Sequence, residues 1–365
     1  MGSSAMEGRA PDAAVPHRFY TSNAWIDGRA DAQLREIAAR PGIRRVAAFP
    51  DLHAGLFGPV GCAILADAVH PHLIGGDIGC GMSLFELDLP HRKLKLDRAE
   101  RRIRALGVAD GVDRRPRLEE AGMSPDLSAD ALGTIGGGNH FCEVQRIASA
   151  EAEAGLDLQR LCLLVHSGSR GVGDAVFRSL AEWRGSEEEV AAYCEGHDAA
   201  VAWARLNRRI IAERAAETLR ADLRLIADAP HNMVARSVEG WLHRKGAAVA
   251  AGLVPLAGSR ATASYVLEPC DHPDALGSLA HGAGRRYDRA SMHGRVRAKR
   301  SDIDAMARNG FRGRIVCEDR GLLIEEAPQA YKSSAAVAGD LEATGAARRV
   351  AELHPLLTFK KTRAG

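Results

Sequence analysis

Hydrophobic and polar positions change rhythm several times along the chain. From Asp31 to Arg40 apolar residues recur at helical spacing, which predicts an amphipathic helix. IRRVAAFP, residues 43–50, is an apolar run of strand length. Residues 50–81 mix glycine and apolar residues with Asp and His, the texture of short strands and tight turns where backbone approaches a ligand. SLFELDL (83–89) alternates like a strand. Residues 91–130 are charged, contain Pro116 and Pro125, and predict helices with an outer loop. TIGGGNHFCEV (134–144) reads as a glycine loop entering a strand, and LCLLVHSGSRGVG (161–173) as a strand ending in a glycine-serine turn. Residues 174–228 form the main helical block, and its basic stretch LNRRIIAERAAETLRADLR reads as a solvated helix face. After Pro230 short strands and polar loops return until about residue 325, and the tail ends in LHPLLTFKK.

No repeat or low-complexity linker interrupts this pattern, and the glycine-rich motifs fall on both sides of the helical block. The expectation is therefore one large α/β (α+β) catalytic domain over residues 21–365, built of stacked sheets, with a helical excursion around 174–228. Residues 1–20 look loose, and the opening MGSSAMEG resembles an expression-tag remnant.

Composition narrows the function classes. At 365 residues, with 46% hydrophobic and 26% charged, the chain is an ordinary globular one with a sizeable core. A net charge of +2 means that any surface for nucleic acid must be local. Seven cysteines, an odd number, no signal peptide and no long apolar run point to a reducing, cytoplasmic setting with free thiols and no membrane span.

Five metal-type ligands stand in glycine-rich turns. They are Asp77 and Cys80 in GGDIGCGM, His140 in GGGNHF, His166 in VHSGSRG and His231 in PHNM. Carboxylate, thiolate and imidazole together suit a borderline divalent ion such as Mn²⁺, Zn²⁺ or Co²⁺. Five ligands exceed one tetrahedral site, and a thiolate can bridge, so the set suggests two ions with positions open for a phosphate. Taken singly, each histidine reads more readily as a satisfied core residue, and Cys80 as a small buried thiol. The turns around them, whose glycines serve no packing purpose, favour the metal reading.

A second group suits phosphate and nucleotide. GGGNH, AGSRATAS (257–264) and HGAGR can present backbone N–H groups to anions, yet none has Rossmann or P-loop spacing. Arg244 and Lys245 in HRKGA suit a phosphate clamp, or else are solvated charges at a strand end. His281, between small residues and followed by Arg285, fits a covalent nucleophile toward phosphorus, or else a structural histidine.

As an ordered set these motifs resemble the RtcB family of RNA-splicing ligases. The resemblance runs from FPDLHAG (49–55) through GGDIGCGM, GGGNHFCE, VHSGSRG, HNM, HRKGA, GSRATASYV, HGAGR and EEAPQAYK to LHPLLTFKK. It implies a characteristic α/β fold, two Mn²⁺ ions, GTP, and the joining of an RNA 2′,3′-cyclic phosphate or 3′-phosphate to a 5′-hydroxyl through a GMP-histidine and an RNA-ppG intermediate. The guanylylated histidine would be His281, and the metal ligands Asp77, Cys80, His140, His166 and His231, with Cys80 bridging. The nucleotide contacts would be Asn139, His140, Phe141, Cys142, Glu143, His231, Asn232, Ala257, Gly258, Ser259, Arg260, Ser264, His281, Gly282, Ala283, Gly284, Tyr331 and Lys360. Arg170, Arg244, Lys245 and Arg285 would meet RNA or triphosphate.

The chain departs from the family pattern at Ala257, Arg260 and Ala261, and at Glu325–Glu326, where Asp-Glu is common. These departures and the compact segment 49–64 point to a divergent bacterial RNA-repair branch. A metal-dependent cyclic phosphodiesterase that does not ligate is the competing reading. A monomer is expected for this length, and the need for an activating protein stays open.

Overall fold

The computed structural model describes residues 14–296 and 306–361, so the expected tag remnant lies outside the described residues. The run at 43–50 becomes an eleven-residue strand, Ile43–His53. Its register to the neighbouring strand Val60–Ala66 slips between Ala48 and His53, where Pro50 and Asp51 lie. Proline cannot donate to a ladder, so pairing breaks there and Asp51 is released toward the interior. These two strands belong to a five-stranded sheet in the order His17–Arg18, Ile43–His53, Val60–Ala66, Gly240–Lys245, Asn232–Ser237.

The second sheet has eight strands. Along its path run Val254–Leu256, Ser264–Pro269, Ala347–Lys361, Phe141–Ala150, Arg160–Ser167, Gly81–Pro90 and Leu223–Pro230, while Arg314–Cys317 pairs with Ala347–Lys361 from the side. The sheet curls until its end strands, Val254–Leu256 and Leu223–Pro230, lie against one another, giving a nearly closed barrel. Ala247–Val249 and Ser278–Ala280 form a separate two-stranded ladder. The architecture is the expected mixed α/β one, with stacked sheets.

The helical excursion is a short helix, Gly171–Arg178, followed by a 33-residue helix, Glu187–Leu219. A capping box between Ser186 and Glu189 satisfies the first backbone donors of the long helix. It ends nine residues earlier than the expected block, with Arg220 left-handed at φ 58°. The following LRLIADAP adopts strand geometry because the sheet edge along Gly81–Pro90 offers it hydrogen bonds.

The reading of the basic stretch as a solvated face fails at Asn207 and Arg208, which are fully buried. Both lie on the stripe Ala204, Ile211, Ala215 that packs the helix onto the large sheet. Among the described residues no helix is long and apolar enough to cross a membrane, and all seven cysteines are unpaired.

Candidate active site

The sheets position the predicted ligands from their strand ends. Cys80 immediately precedes Gly81–Pro90, His140 precedes Phe141–Ala150, His166 lies near the end of Arg160–Ser167, and His231 links Leu223–Pro230 to Asn232–Ser237. Their donor atoms converge. Cys80 Sγ lies 3.3 Å from both His140 Nε2 and His166 Nε2, His166 Nε2 lies 3.3 Å from His231 Nε2, and Asp77 Oδ2 lies 3.6 Å from His140 Nε2. Bonds of ~2.0–2.3 Å to a tetrahedral ion would set N···N and S···N separations of about 3.3–3.5 Å, so the donors already stand at ligand spacing.

Burial tunes these groups. It holds His166 and His231 well below the ordinary imidazole range, keeping lone pairs available. Burial, then the neighbouring Asp77, raises the Cys80 thiol, so a cation is what the sulfur needs to ionise. Burial works against the Asp77 carboxylate, but His140 and Cys80 hold it below the usual carboxylate range. His166 Nδ1 lies 3.3 Å from the Asn139 carbonyl, a contact that orients a ligating imidazole.

Two residues missed in the sequence hold the ligand turns. Arg208 donates from Nη1 to the carbonyls of Gly79 (2.8 Å) and Ser167 (3.1 Å), and from Nη2 to Asp228 (2.8 Å). Asn207 accepts from Gly133 N (2.7 Å) and donates to Thr134 O and Ser167 Oγ (3.1 Å each). The one sequence signal was a polar pair falling on an apolar helical stripe.

His281 sits beside this cluster, its ring centroid 4.3 Å from that of His231. Its Nδ1 lies 2.7 Å from Asp51 Oδ2 and 2.7 Å from the Gly246 carbonyl. Two acceptors at one nitrogen make Nδ1 the donor, so the neutral ring keeps its lone pair on Nε2. Asp51 also accepts from the His281 backbone N–H at 3.3 Å. Asp51 falls within FPDLHAG, where nothing local marks its contact with His281. Gly284 follows at φ +70°, and a Cβ there would lie 2.2 Å from the Asp51 carbonyl oxygen, so only glycine lets the two segments meet.

His281 opens onto a cleft that also gathers Asn139, Phe141, Glu143, His166, Ala257 to Arg260, Gly282 to Arg285, Tyr331 and Lys360. Strand alternation sends Phe141 and Glu143 into it and turns Cys142 into the hydrophobic core behind the sheet, so the Cys142 side chain is no ligand contact. Burial lifts the Glu143 carboxyl to about 6, although Thr358 and Gln145 donate to it. At the far wall one buried carboxylate, Glu326, gathers three cations. Arg285 reaches it at 3.0 Å, Arg289 at 3.4 Å and Lys360 at 3.7 Å, and the Tyr331 hydroxyl donates to it as well. Arg289, Glu326, Thr358 and His53 are cleft residues that sequence reasoning missed. His53 donates from Nδ1 to the Asp51 carbonyl at 2.8 Å, and burial lowers it to about 4.

Other expected contacts serve the scaffold. Arg260 lines the cleft but turns its guanidinium to the carbonyls of Glu326 (2.9 Å) and Leu323 (3.0 Å) at the end of the helix Arg320–Glu325, so its added charge neutralises a helix terminus. Ser264 accepts from Gly258 N at 3.0 Å and props the 257–262 loop. Asn232 donates to the carbonyls of Ile74 (3.1 Å) and Asp77 (2.7 Å), fixing the metal turn. Arg244 is buried against Ser278 Oγ (2.8 Å) and the Gly277 carbonyl (3.2 Å), away from the cleft. Lys245 donates to the Ile74 carbonyl and is within electrostatic reach of Asp77 and Cys80. Arg170, at φ 57°, lies against Gly136 and is influenced by Asp77 at the mouth of the metal cluster.

Comparison with known proteins shows what the whole chain is similar to. The family model described as tRNA-splicing ligase RtcB matches residues 33–115 and 107–361. The RNA-splicing ligase RtcB2 of Escherichia coli is 40% identical, over 93% of this chain and 93% of that protein. The RNA-splicing ligase RtcB of Mycobacterium tuberculosis is 30% identical, over 89% of this chain and 99% of its own length. The tRNA-splicing ligase RtcB of Archaeoglobus fulgidus is 27% identical, over 95% and 94%.

Proposed function

This chain belongs to the RtcB family, and from that premise we propose that it is a GTP-dependent RNA ligase that joins 2′,3′-cyclic phosphate or 3′-phosphate ends to 5′-hydroxyl ends with His281 as the covalent nucleophile. One observation carries the proposal. Nδ1 of His281 is pinned by Asp51 and Gly246, which leaves Nε2 free beside a cluster of metal-type ligands.

The donor set fits two divalent ions, with Mn²⁺ as the family expectation. Asp77, Cys80 and His140 would hold one, and Cys80, His166 and His231 the other, because the sulfur stands in the middle of the row. Such ions supply charge neutralisation at phosphate oxygens. The remaining work falls to this chain. Glu143, pinned between Thr358 and Gln145, presents an acceptor suited to the guanine edge. Tyr331 offers an aromatic wall, and Arg285, Arg289 and Lys360 outnumber Glu326, which leaves the cleft positive for a triphosphate.

His281 Nε2 then forms a bond to the α-phosphorus of GTP as the bond to pyrophosphate breaks. Asp51 stabilises the charge that develops on the ring. Water opens a cyclic phosphate end to a 3′-phosphate, whose oxygen takes GMP from His281 and frees Nε2. The second RNA's 5′-hydroxyl then attacks the RNA phosphorus, a 3′–5′ phosphodiester forms, and GMP leaves. A cyclic phosphodiesterase using the metals alone would carry no label from GTP on His281.

The test is to incubate the protein with Mn²⁺ and α-labelled GTP, denature it, and look for acid-labile protein-bound label. Wild type is expected to carry it and His281→Ala to lack it. Absence of label from wild type, or full label on the variant, overturns the mechanism.

A further inference from the structure

Next to the cleft, four side chains from two segments form an exposed row in which aromatic rings and guanidinium groups alternate. Trp25 is 41% exposed, unusual for so large an apolar ring. The Arg286 guanidinium lies 5.5 Å from the Trp25 ring centre and 5.5 Å from that of Tyr287. Arg295 lies 3.9 Å from the centre of the Tyr287 ring. Among the described residues neither Arg286 nor Arg295 is paired with a carboxylate, so both charges are free for an incoming anion.

The row borders a groove whose walls include Trp25, Arg286, Lys332 and Tyr331. Tyr331 also lines the catalytic cleft, so the groove and the cleft share a wall. Lys332 holds the shared rim together. Its ammonium donates to the carbonyls of Pro50 (2.9 Å) and Leu52 (2.6 Å), on either side of Asp51. At the far end Asp340 accepts from the backbone and hydroxyl of Thr21, so its carboxylate is already engaged.

We propose that this row is a platform for unpaired nucleotides of the RNA whose end enters the cleft, with a base stacked on Trp25 and backbone phosphates on Arg286 and Arg295. The proposal rests on the ligase reading of the cleft. Stacking on an aromatic face suits any base, and a guanidinium between two rings is held in place to meet a phosphate. Alternation of the two is the chemistry of sequence-tolerant single-strand binding. The wall that the groove shares with the cleft favours RNA over a protein partner, because the strand whose end enters the cleft must pass beside it.

The experiment measures binding of a fluorescently labelled 12-nucleotide single-stranded RNA, with 5′-hydroxyl and 3′-phosphate ends, by anisotropy at several salt concentrations. Trp25→Ala is expected to weaken binding roughly 5- to 150-fold, the range of one lost stacking contact. Trp25→Phe is expected to restore most of that loss. Arg286→Ala is expected to lower the salt slope by about 0.7, the value of one phosphate contact on a single strand. Wild-type affinity and salt slope in both Trp25→Ala and Arg286→Ala overturn the proposal. If Trp25→Ala fails to fold, Arg286→Ala and Arg295→Ala decide it, each expected to lower the salt slope by about 0.7, and wild-type slope in both overturns it. Guanylylation of the wild type without RNA, measured separately, shows whether the ligase reading itself has failed.

Discussion

Two histidine–aspartate clusters flank the strand Ile43–His53, and their residue types are nearly the same. In the cleft, Asp51 meets His281 at 2.7 Å, and the His231 ring is 4.3 Å from that of His281. On the surface, Asp274 meets His17 at 3.5 Å, and the His272 ring is 5.1 Å from that of His17. His17, His272 and Asp274 even stand close enough to suggest a metal site. The difference lies in what surrounds them. His17 and Asp274 are 42% and 45% exposed, and Arg45 already occupies Asp274 at 3.0 Å, where a cation would have to bind. Asp51 is fully buried and has no arginine partner among the described residues, and its histidine packs against His231, one of five converging metal-type donors. A constellation becomes a reaction centre when burial and neighbours leave it one arrangement and one charge to neutralise.

The largest expected effect separates the clusters outright. Cys80→Ala removes the atom in the middle of the donor row, and both bound Mn²⁺, by elemental analysis, and guanylylation should fall by more than about 100-fold. Normal guanylylation in that variant would end the bridging-thiolate reading. Next, Asp51→Asn should cut the guanylylation rate roughly 10²–10⁴-fold with metal content unchanged, because an amide no longer fixes the proton on Nδ1. If metal content falls in step with rate, Asp51 is serving the metals instead of His281.

A third test concerns burial itself. Burial lowers His243 from 6.5 to about 3, and its Nε2 accepts the His70 backbone N–H at 2.9 Å. Below 6.5 the unfolded chain takes up this proton and the native chain does not. The stability contribution is therefore complete above 6.5 and declines as pH falls toward about 3. Denaturant titrations of His243→Gln should show an acid slope shallower by at most about 1.4 kcal/mol per pH unit. Smallest is His17→Ala. It should change stability by less than about 1 kcal/mol and leave guanylylation at the wild-type rate. A large loss of activity there would show that the surface cluster shares in the chemistry.

What the sequence disclosed divides along the same line. The convergence of Asp77, Cys80, His140, His166 and His231 beside His281 was legible because each sits in a short motif whose glycines are conspicuous locally. Asp51 was not, since its partner His281 is 230 residues away and a carboxylate in a strand carries no local mark of that contact. Arg208 was mistaken for solvated charge because helical charge runs look alike until one member falls under the sheet. Arg244 erred the other way, since a cation beside a glycine turn reads the same whether it faces a phosphate or a neighbouring carbonyl. Cys142 was carried along with its segment, although strand alternation separates it from Phe141 and Glu143. The sheets were anticipated as strands, but their order was not, because pairing is decided by partners far apart in the chain.

The strand Ala347–Lys361 lies between Ser264–Pro269 and Phe141–Ala150, and Arg314–Cys317 adds to its side. It follows every other strand of its sheet in the chain, yet it occupies the sheet's interior and delivers Lys360 to the cleft. On a ribosome, then, the earlier strands must wait with open edges until residue 361 has been made. Such long-range closure is slow and leaves unpaired strand edges exposed while it waits. It also means that a nascent chain completes the cleft beside His281 only when its barrel shuts.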